Sequence, residues 1–310
     1  DLTGSVTSVN AEEMMKRNPV NLGQGLQGAA AGVSVIRSSG SPDGGFNIRI
    51  RGVATVNGSS DPLYVVDGVQ VGTSIDFLNP NDVESIEILK DASATAIYGT
   101  RGANGVIMIT TKNGSKGKAQ VNFSANYSLQ FNNNKIDVAD ADLFAKAVRE
   151  SCRNGSVMTN LAFGEEYIGK LNSIDWQDEM FRNAAMQNYQ LSISGGNEKS
   201  LYYISAGFIK QDGIVKPSSF ERMNFKINLE QELKKWVKIG TNLSYSKIND
   251  VDVSDGNSET VILQAITTPS VVGKYNADGT FPTLPFLSSL ENPLSAVESY
   301  TRDYVYHKLL

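Results

Sequence analysis

Residues able to do chemistry are scarce in this 310-residue chain. It holds one histidine, His307, and one cysteine, Cys152. A zinc or non-haem iron site draws several ligands from these residue types and a disulfide needs two thiols, so catalysis built on several Cys or His and an intrachain bridge are both excluded. GQGLQG, residues 23–28, satisfies the G-x-G-x-x-G spacing that lets backbone approach a pyrophosphate. It follows a proline-broken helical pattern instead of a strand, and no acidic residue stands about 20 positions beyond it. DVDVSDGNSE, residues 250–259, gathers carboxylates as a cation loop would. Its glycine is out of register for an EF-hand, however, and the twelfth position is Val261. Acidic runs of this kind ordinarily face water. No phosphate cradle G-x-x-x-x-G-K-[ST] and no nucleophile elbow G-x-S-x-G occurs, so no enzyme, cofactor or metal site is expected.

Polar side chains in turns offer binding instead of catalysis. RSSGSPDGG (37–45) and TVNGSSDP (55–62) carry Arg37, Asp43, Asn57 and Asp61, whose donors and acceptors suit a hydroxyl-rich ligand. Plain surface turns rich in Gly, Ser and Pro are the simpler account of the same residues. Arg49 and Arg51 alternate with Ile48 and Ile50, so both are expected on one face of a strand, where a solvated sheet face explains them. The net charge of −5 and the scattered Lys and Arg leave no footprint for a polyanion, and nucleic acid is not an expected partner.

The elements that must hold these residues fall into two rhythms. Residues 10–32 read as helical, with Asn10 as a cap and a break at Asn18-Pro19. GVSVIRSS and FNIRIRGV read as strands, and Asp67-Gly68 between two β-branched runs in PLYVVDGVQVG predicts a hairpin. In VESIEILKDASATAIYGTRGANGVIMITTK, residues 83–112, a strand is followed by a small helix capped at Asp91 or Ser93 and stopped by Gly99 in a left-handed conformation. GVIMITT is then the return strand, and the small alanines Ala92, Ala94 and Ala96 suit a tight crossover packed on the sheet. A small α/β domain ending near Lys112 is expected.

From Ala119 the pattern alternates strictly. Tyr189, Leu191 and Ile193 face one way and Gln190, Ser192 and Ser194 the other; Met223, Phe225, Ile227 and Leu229 oppose Asn224, Lys226, Asn228 and Glu230. Val237, Ile239, Leu243 and Tyr245 repeat the scheme, and Tyr127, Phe131, Phe220 and Trp236 fall where interfacial girdles would lie. A soluble β-sandwich alternates too. Long insertions at about 132–185 and 250–302 alternate with short turns at GGNEKS and ELKKW, which favours a transmembrane barrel with tight turns on one side and loops on the other. No apolar run reaches the ~18 residues of a spanning helix, and the start, DLTGSVTSVN, lacks the basic and apolar regions of a signal peptide, so targeting information is expected upstream. Five strands and the start of a sixth at DYVYHKLL cannot close a barrel, which needs at least about eight. The sequence is therefore expected to be the N-terminal part of a longer protein, with a plug at 1–116 and barrel strands with long external loops at 117–310.

DPLYVVDGV (61–69) and LNPNDVESIEILKDASATAIYGTRGANGVIMITTK (78–112) closely resemble the plug signature of SusC/RagA-like TonB-dependent outer-membrane transporters. IRIRG (48–52) resembles the arginine-glycine strand of that plug, and DWQDEMFRN (175–183) a segment of the family's first long loop. The resemblance covers residues 1 to about 250 well and the rest weakly. It implies an α/β plug inside an antiparallel barrel of about 22 strands. It also implies a SusD-like surface lipoprotein as lid, TonB as the energy-coupling partner, and import of an oligosaccharide or, alternatively, a peptide. On the same resemblance, residues 23–28 belong to a helix packed on the plug sheet, and Arg49 and Arg51 would pair with acidic groups of the barrel wall. The family's TonB-contacting box lies upstream of the plug, so this stretch alone is not expected to couple to TonB. A binding or adhesion receptor without transport shares the barrel and stays open on the residues alone.

Overall fold

The computed structural model describes residues 6–42, 44–52, 59–72, 74–91, 95–132, 134–155, 169, 171–253, 261–282 and 292–310. Its N-terminal third is a small mixed body. Strands β1 (Val6–Asn10), β4 (Leu63–Val66), β5 (Val69–Gly72), β6 (Val83–Leu89) and β7 (Val106–Thr111) form one sheet in the order β1-β6-β7-β4-β5, and β2 (Val33–Arg37) pairs with β3 (Phe46–Ile50) in a second. Only β4 and β7 run parallel, with Val65 opposite Met108. Val66, Ile86, Ile88, Ile107 and Ile109 are almost wholly buried and form the centre of the core. The Asp67-Gly68 hairpin is present, with φ of 48° and 85° at the two central residues, the type I′ geometry that matches strand twist.

Three local expectations change. The helical stretch at 10–32 is two single turns, α1 (Ala11–Met15) and α2 (Leu22–Leu26), separated where Asn18 takes φ 46° before Pro19. Asn10 stands directly before α1, and the second turn has a cap of its own: Asn21 accepts from Gln24 N at 2.9 Å through its side chain. In the 83–112 stretch, Ala92, Ser93 and Ala94 lie outside the described residues, and Ala96–Gly102 is a 3-10 segment kinked at Gly99 (φ 60°). That segment is no crossover, because β6 and β7 pair antiparallel as neighbours. β1, which sequence patterning did not show, closes the sheet edge against β6, Val6 opposite Leu89.

The remainder is a single antiparallel sheet of six strands in sequential order: β8 (Gly117–Gln130), β9 (Ala184–Gly196), β10 (Ser200–Asp212), β11 (Ser219–Lys234), β12 (Val237–Val253) and β13 (Thr301–Leu309). Burial is inverted relative to a soluble protein. Phe123, Leu191, Phe225, Leu229 and Ile239 stand exposed on one face, while Gln190, Ser205, Arg222, Lys226 and Ser246 are buried on the other. An apolar outside and a polar inside are what a bilayer demands of a barrel wall, where alternate residues meet lipid and lumen. Among the described residues no helix is long and apolar enough to cross a membrane. Phe220 departs from the expected girdle: it has the inward parity, is 2% exposed, and joins the plug core together with Ile209 and Ile248.

Short turns at 197–199 and 235–236 lie at one end of the sheet and the long insertions at the other. The described parts of the insertions carry helices. α3 (Ala141–Asn154) is capped by Asp140, α4 (Trp176–Met180) by Asp175 and α6 (Pro293–Tyr300) by Asn292, with α5 (Val261–Thr267) between the last two. Trp176, Met180, Val261, Ala265 and Ala296 share one apolar cluster with Val253. Asp250 and Val253, read from sequence as the start of a solvated loop, are instead buried residues of β12, while 254–260 lie outside the described residues.

Candidate functional site: the seat of the plug

The inward side chains of β9–β12 are buried because the small domain lies against them. The contact begins in LNPNDV, where Asn79 caps a 3-10 turn (Pro80–Asp82) by accepting from Asn81 N at 3.0 Å. That turn aims Asp82, 6% exposed, at the wall. One carboxylate oxygen accepts from Tyr203 Oη at 2.8 Å, Ser205 Oγ at 2.7 Å and Gln190 Nε2 at 3.1 Å. Gln190 is held at both ends, because its Oε1 accepts from Asn79 Nδ2 at 2.6 Å. The approach is close enough that a Cβ on Gly207 would lie 2.5 Å from both Asn79 Nδ2 and Gln190 Oε1. Loss of water at this depth raises the Asp82 pKa above the ordinary carboxylate range; the hydroxyls of Ser205 and Tyr203, and the charges of Lys226 and Lys112, pull the other way.

A second contact sits at the hairpin. Asp67 accepts from Thr111 N at 2.8 Å and Thr111 Oγ1 at 2.6 Å, which anchors the turn to β7. Its other partners are on the wall: Asn242 Nδ2 at 2.7 Å and Lys226 Nζ at 3.6 Å. Lys226, with a side chain 3% exposed, also donates to Asn242 Oδ1 at 2.7 Å and Ser244 Oγ at 3.2 Å. Paired and hydrogen-bonded, a buried ammonium is tolerated.

The third contact is an arginine reaching inward. Arg222 donates from Nη1 to Asp76 O at 2.7 Å and from Nη2 to Val20 O at 3.1 Å, while its Nε is fixed by Asn224 Oδ1 at 2.9 Å. Asn224 in turn donates to Phe77 O at 2.8 Å. In these three contacts the cations, Arg222 and Lys226, stand on the barrel and the carboxylates, Asp67 and Asp82, on the small domain.

The residues singled out from sequence lie elsewhere. Arg37 closes its own loop by donating to Ser41 O at 2.6 Å, and Asp61 accepts from Ser59 Oγ at 2.7 Å in a separate exposed turn. Asp43 and Asn57 lie outside the described residues. Arg49 is exposed on β3 between buried Ile48 and Ile50. Arg51, at φ 59° just past the strand, forms an ion pair with Asp91 of the same small domain. Asp82, Gln190, Tyr203, Ser205 and Arg222 were missed because their partners are more than a hundred positions away; for Asp82 and Tyr203 the separation is 121. The one available signal was the polar half of each alternating strand. Among the described residues no group of three or more His, Cys, Asp or Glu could hold a metal ion.

Residues 1–106 match the TonB-dependent Receptor Plug Domain family. The chain is 41% identical over 308 residues to TonB-dependent receptor P3 of Formosa agariphila, covering 96% of this chain and 29% of that protein. It is 38% identical over 241 residues to TonB-dependent receptor SusC of Bacteroides thetaiotaomicron, covering 74% of this chain and 23% of that one. Among solved structures it is similar to the RagAB peptide importer in its closed-closed state, with a TM-score of 0.77 and 29% identity over 91% of this chain and 35% of the other. The chain thus spans under a third of the curated relatives it matches. A plug seated on polar, inward-facing strands, with relatives of this kind on both sequence and structure, belongs to the SusC/RagA-like TonB-dependent receptors of the outer membrane.

Proposed function

We propose that the full-length receptor imports an oligosaccharide across the outer membrane, with residues 1–116 as the gate and 117–310 as the first part of the wall. The observation that carries this is the seat itself: hydrogen bonds of Asp82, Asp67 and Arg222, which water can replace, join the plug to the wall beside an apolar contact of Ile209, Phe220 and Ile248, so much of the interface can be rehydrated when the gate leaves the lumen. A SusD-like lipoprotein as lid and TonB as the source of work complete the proposal, on the strength of the relatives. Arg37, Asp43, Asn57 and Asp61 on the plug loops are proposed cargo contacts, and Arg49 and Arg51 proposed contacts to parts of the wall.

A peptide cargo is the second reading, and one feature favours it. A cavity of about 230 Å³ opens between the plug loop at Gly40 and Ser41 and the external segments, lined by Phe181, Ile214, Val215, Val253 and Ile262. Sugars stack on aromatic faces, and this lining is mainly aliphatic, better suited to an apolar side chain. Calorimetry on the purified full-length receptor with its co-purifying lipoprotein, against glycan and peptide panels, separates the two. Uptake that stops when the proton-motive force is collapsed supports import. Binding without energised uptake would instead identify a receptor or adhesin.

A further inference from the structure

The three contacts of the seat differ in kind. Arg222 donates to backbone carbonyls and Asp67 faces a lysine, whereas Asp82 is held only by neutral donors, all from adjacent strands β9 and β10. A hydrogen bond to a carboxylate is roughly twice as strong as one between neutral groups and is directional, so three converging on one oxygen fix position as well as energy. Beside them lies a cavity of about 20 Å³, lined by Asp82, Thr111, Asn224, Lys226, Ser244 and Ser246. That volume holds one water; Phe77, Leu78 and Val83 share the lining, and the polar side chains among them offer that water its hydrogen-bond partners.

We propose that Asp82 is the positioning residue of the gate: its carboxylate, cradled by Gln190, Tyr203 and Ser205 and facing Lys226 across a one-water cavity, sets how long the plug keeps the lumen shut. The latch rests on the gating function proposed above. Release begins when water from the small cavity takes over the wall hydroxyls' role at Asp82, one donor at a time. The apolar contacts of Ile209, Phe220 and Ile248 hold the plug in place but are not directional, so they tolerate sliding that the Asp82 cradle does not.

Passive leak tests this on the full-length receptor, in planar bilayers without TonB and in cells as sensitivity to an antibiotic too large for ordinary porins. Tyr203→Phe and Ser205→Ala each remove one wall donor and leave the plug untouched; each is expected to raise leak about tenfold at unchanged receptor level. Asp82→Ala should raise it further, and adding Tyr203→Phe to Asp82→Ala should add nothing, because the partner is already gone. Asp82→Asn keeps the accepting oxygen but not the charge, and should leak less than Asp82→Ala. Unchanged leak in both wall variants, additive effects in the double variant, or no rescue by Asn over Ala overturns the latch. Failure of the gating function reads differently: leak changes as described, but energised uptake is absent in the wild-type receptor as well.

Discussion

A carboxylate taken out of water holds its charge reluctantly, and the two plug carboxylates meet that cost in different ways. Asp67 shares Lys226, so Asp67→Ala leaves a nearly buried ammonium without its counter-ion. That change should weaken plug seating by about 3 kcal/mol, read as a lower urea midpoint for plug release followed by bilayer conductance; Asp67→Asn, which keeps the bond from Asn242, should lose less. Asp82 has no such partner within ion-pair reach among the described residues, and burial raises its pKa. The docked state therefore binds a proton more tightly than the released state. Docking strength from this group is full below the ordinary carboxylate range and is lost as pH rises through the raised value. Tyr203 from β10, Lys226 from β11 and Lys112 beyond β7 face the same carboxyl, and the lysine charges narrow that window without reversing its sign. Leak through the wild-type receptor should fall on mild acidification, while Asp82→Asn should show a flat profile over the same range. A wild-type profile that is flat or inverted would show that desolvation does not dominate at Asp82. Nothing local in LNPNDV says that Asp82 points into a barrel wall, since the turn that aims it is seen only in the structure.

At the scale of elements, local signals succeeded where a short stretch of chain carries its own constraint. Asp67-Gly68 must take positive φ at two successive residues, and the pair is among the few that do so readily, so its hairpin was legible. The helix at 10–32 was not, since only five residues on each side of Asn18-Pro19 find hydrogen-bonding room in helical form. Nor was the antiparallel pairing of β6 with β7, which depends on the sheet order and not on the link between them. The linker from plug to barrel makes a sharper demand. A Cβ on Gly114 would fall inside contact distance of the Tyr202 backbone in β10, which cannot swing aside as a side chain would. Gly114→Ala should therefore push the linker off the wall and destabilise the seat by roughly 1–3 kcal/mol, visible as a lower urea midpoint for plug release while the heat resistance of the barrel is retained. An unaltered midpoint would show that the linker does not press on β10.

For the molecule as a whole, lipid and lumen decide which side chains are tolerated where. Phe225 lies near the middle of β11 and points outward, between the inward-facing Asn224 and Lys226. Phe225→Arg should destabilise folding into lipid vesicles by about 2–4 kcal/mol, whereas the arginine at position 222, three residues away on the opposite face, is part of the seat. Equal stability of the Phe225→Arg and wild-type receptors in vesicles would show that this face does not meet hydrocarbon. The alternation of β9, β11 and β12, the asymmetric turn lengths, the dearth of catalytic residue types and the plug signature were all determined by the sequence, because a period of two and a turn's backbone demand are properties of neighbouring residues. Which inward side chains matter was decided only by the tertiary structure. Phe220 passes for a girdle aromatic until the plug is seen covering it, and Asp82 draws no notice until Tyr203 and Ser205 arrive from another domain. Hydrogen bonds of this kind are short-ranged and directional, so they leave no periodic trace along the chain and come into being only when the plug and the wall are folded against each other.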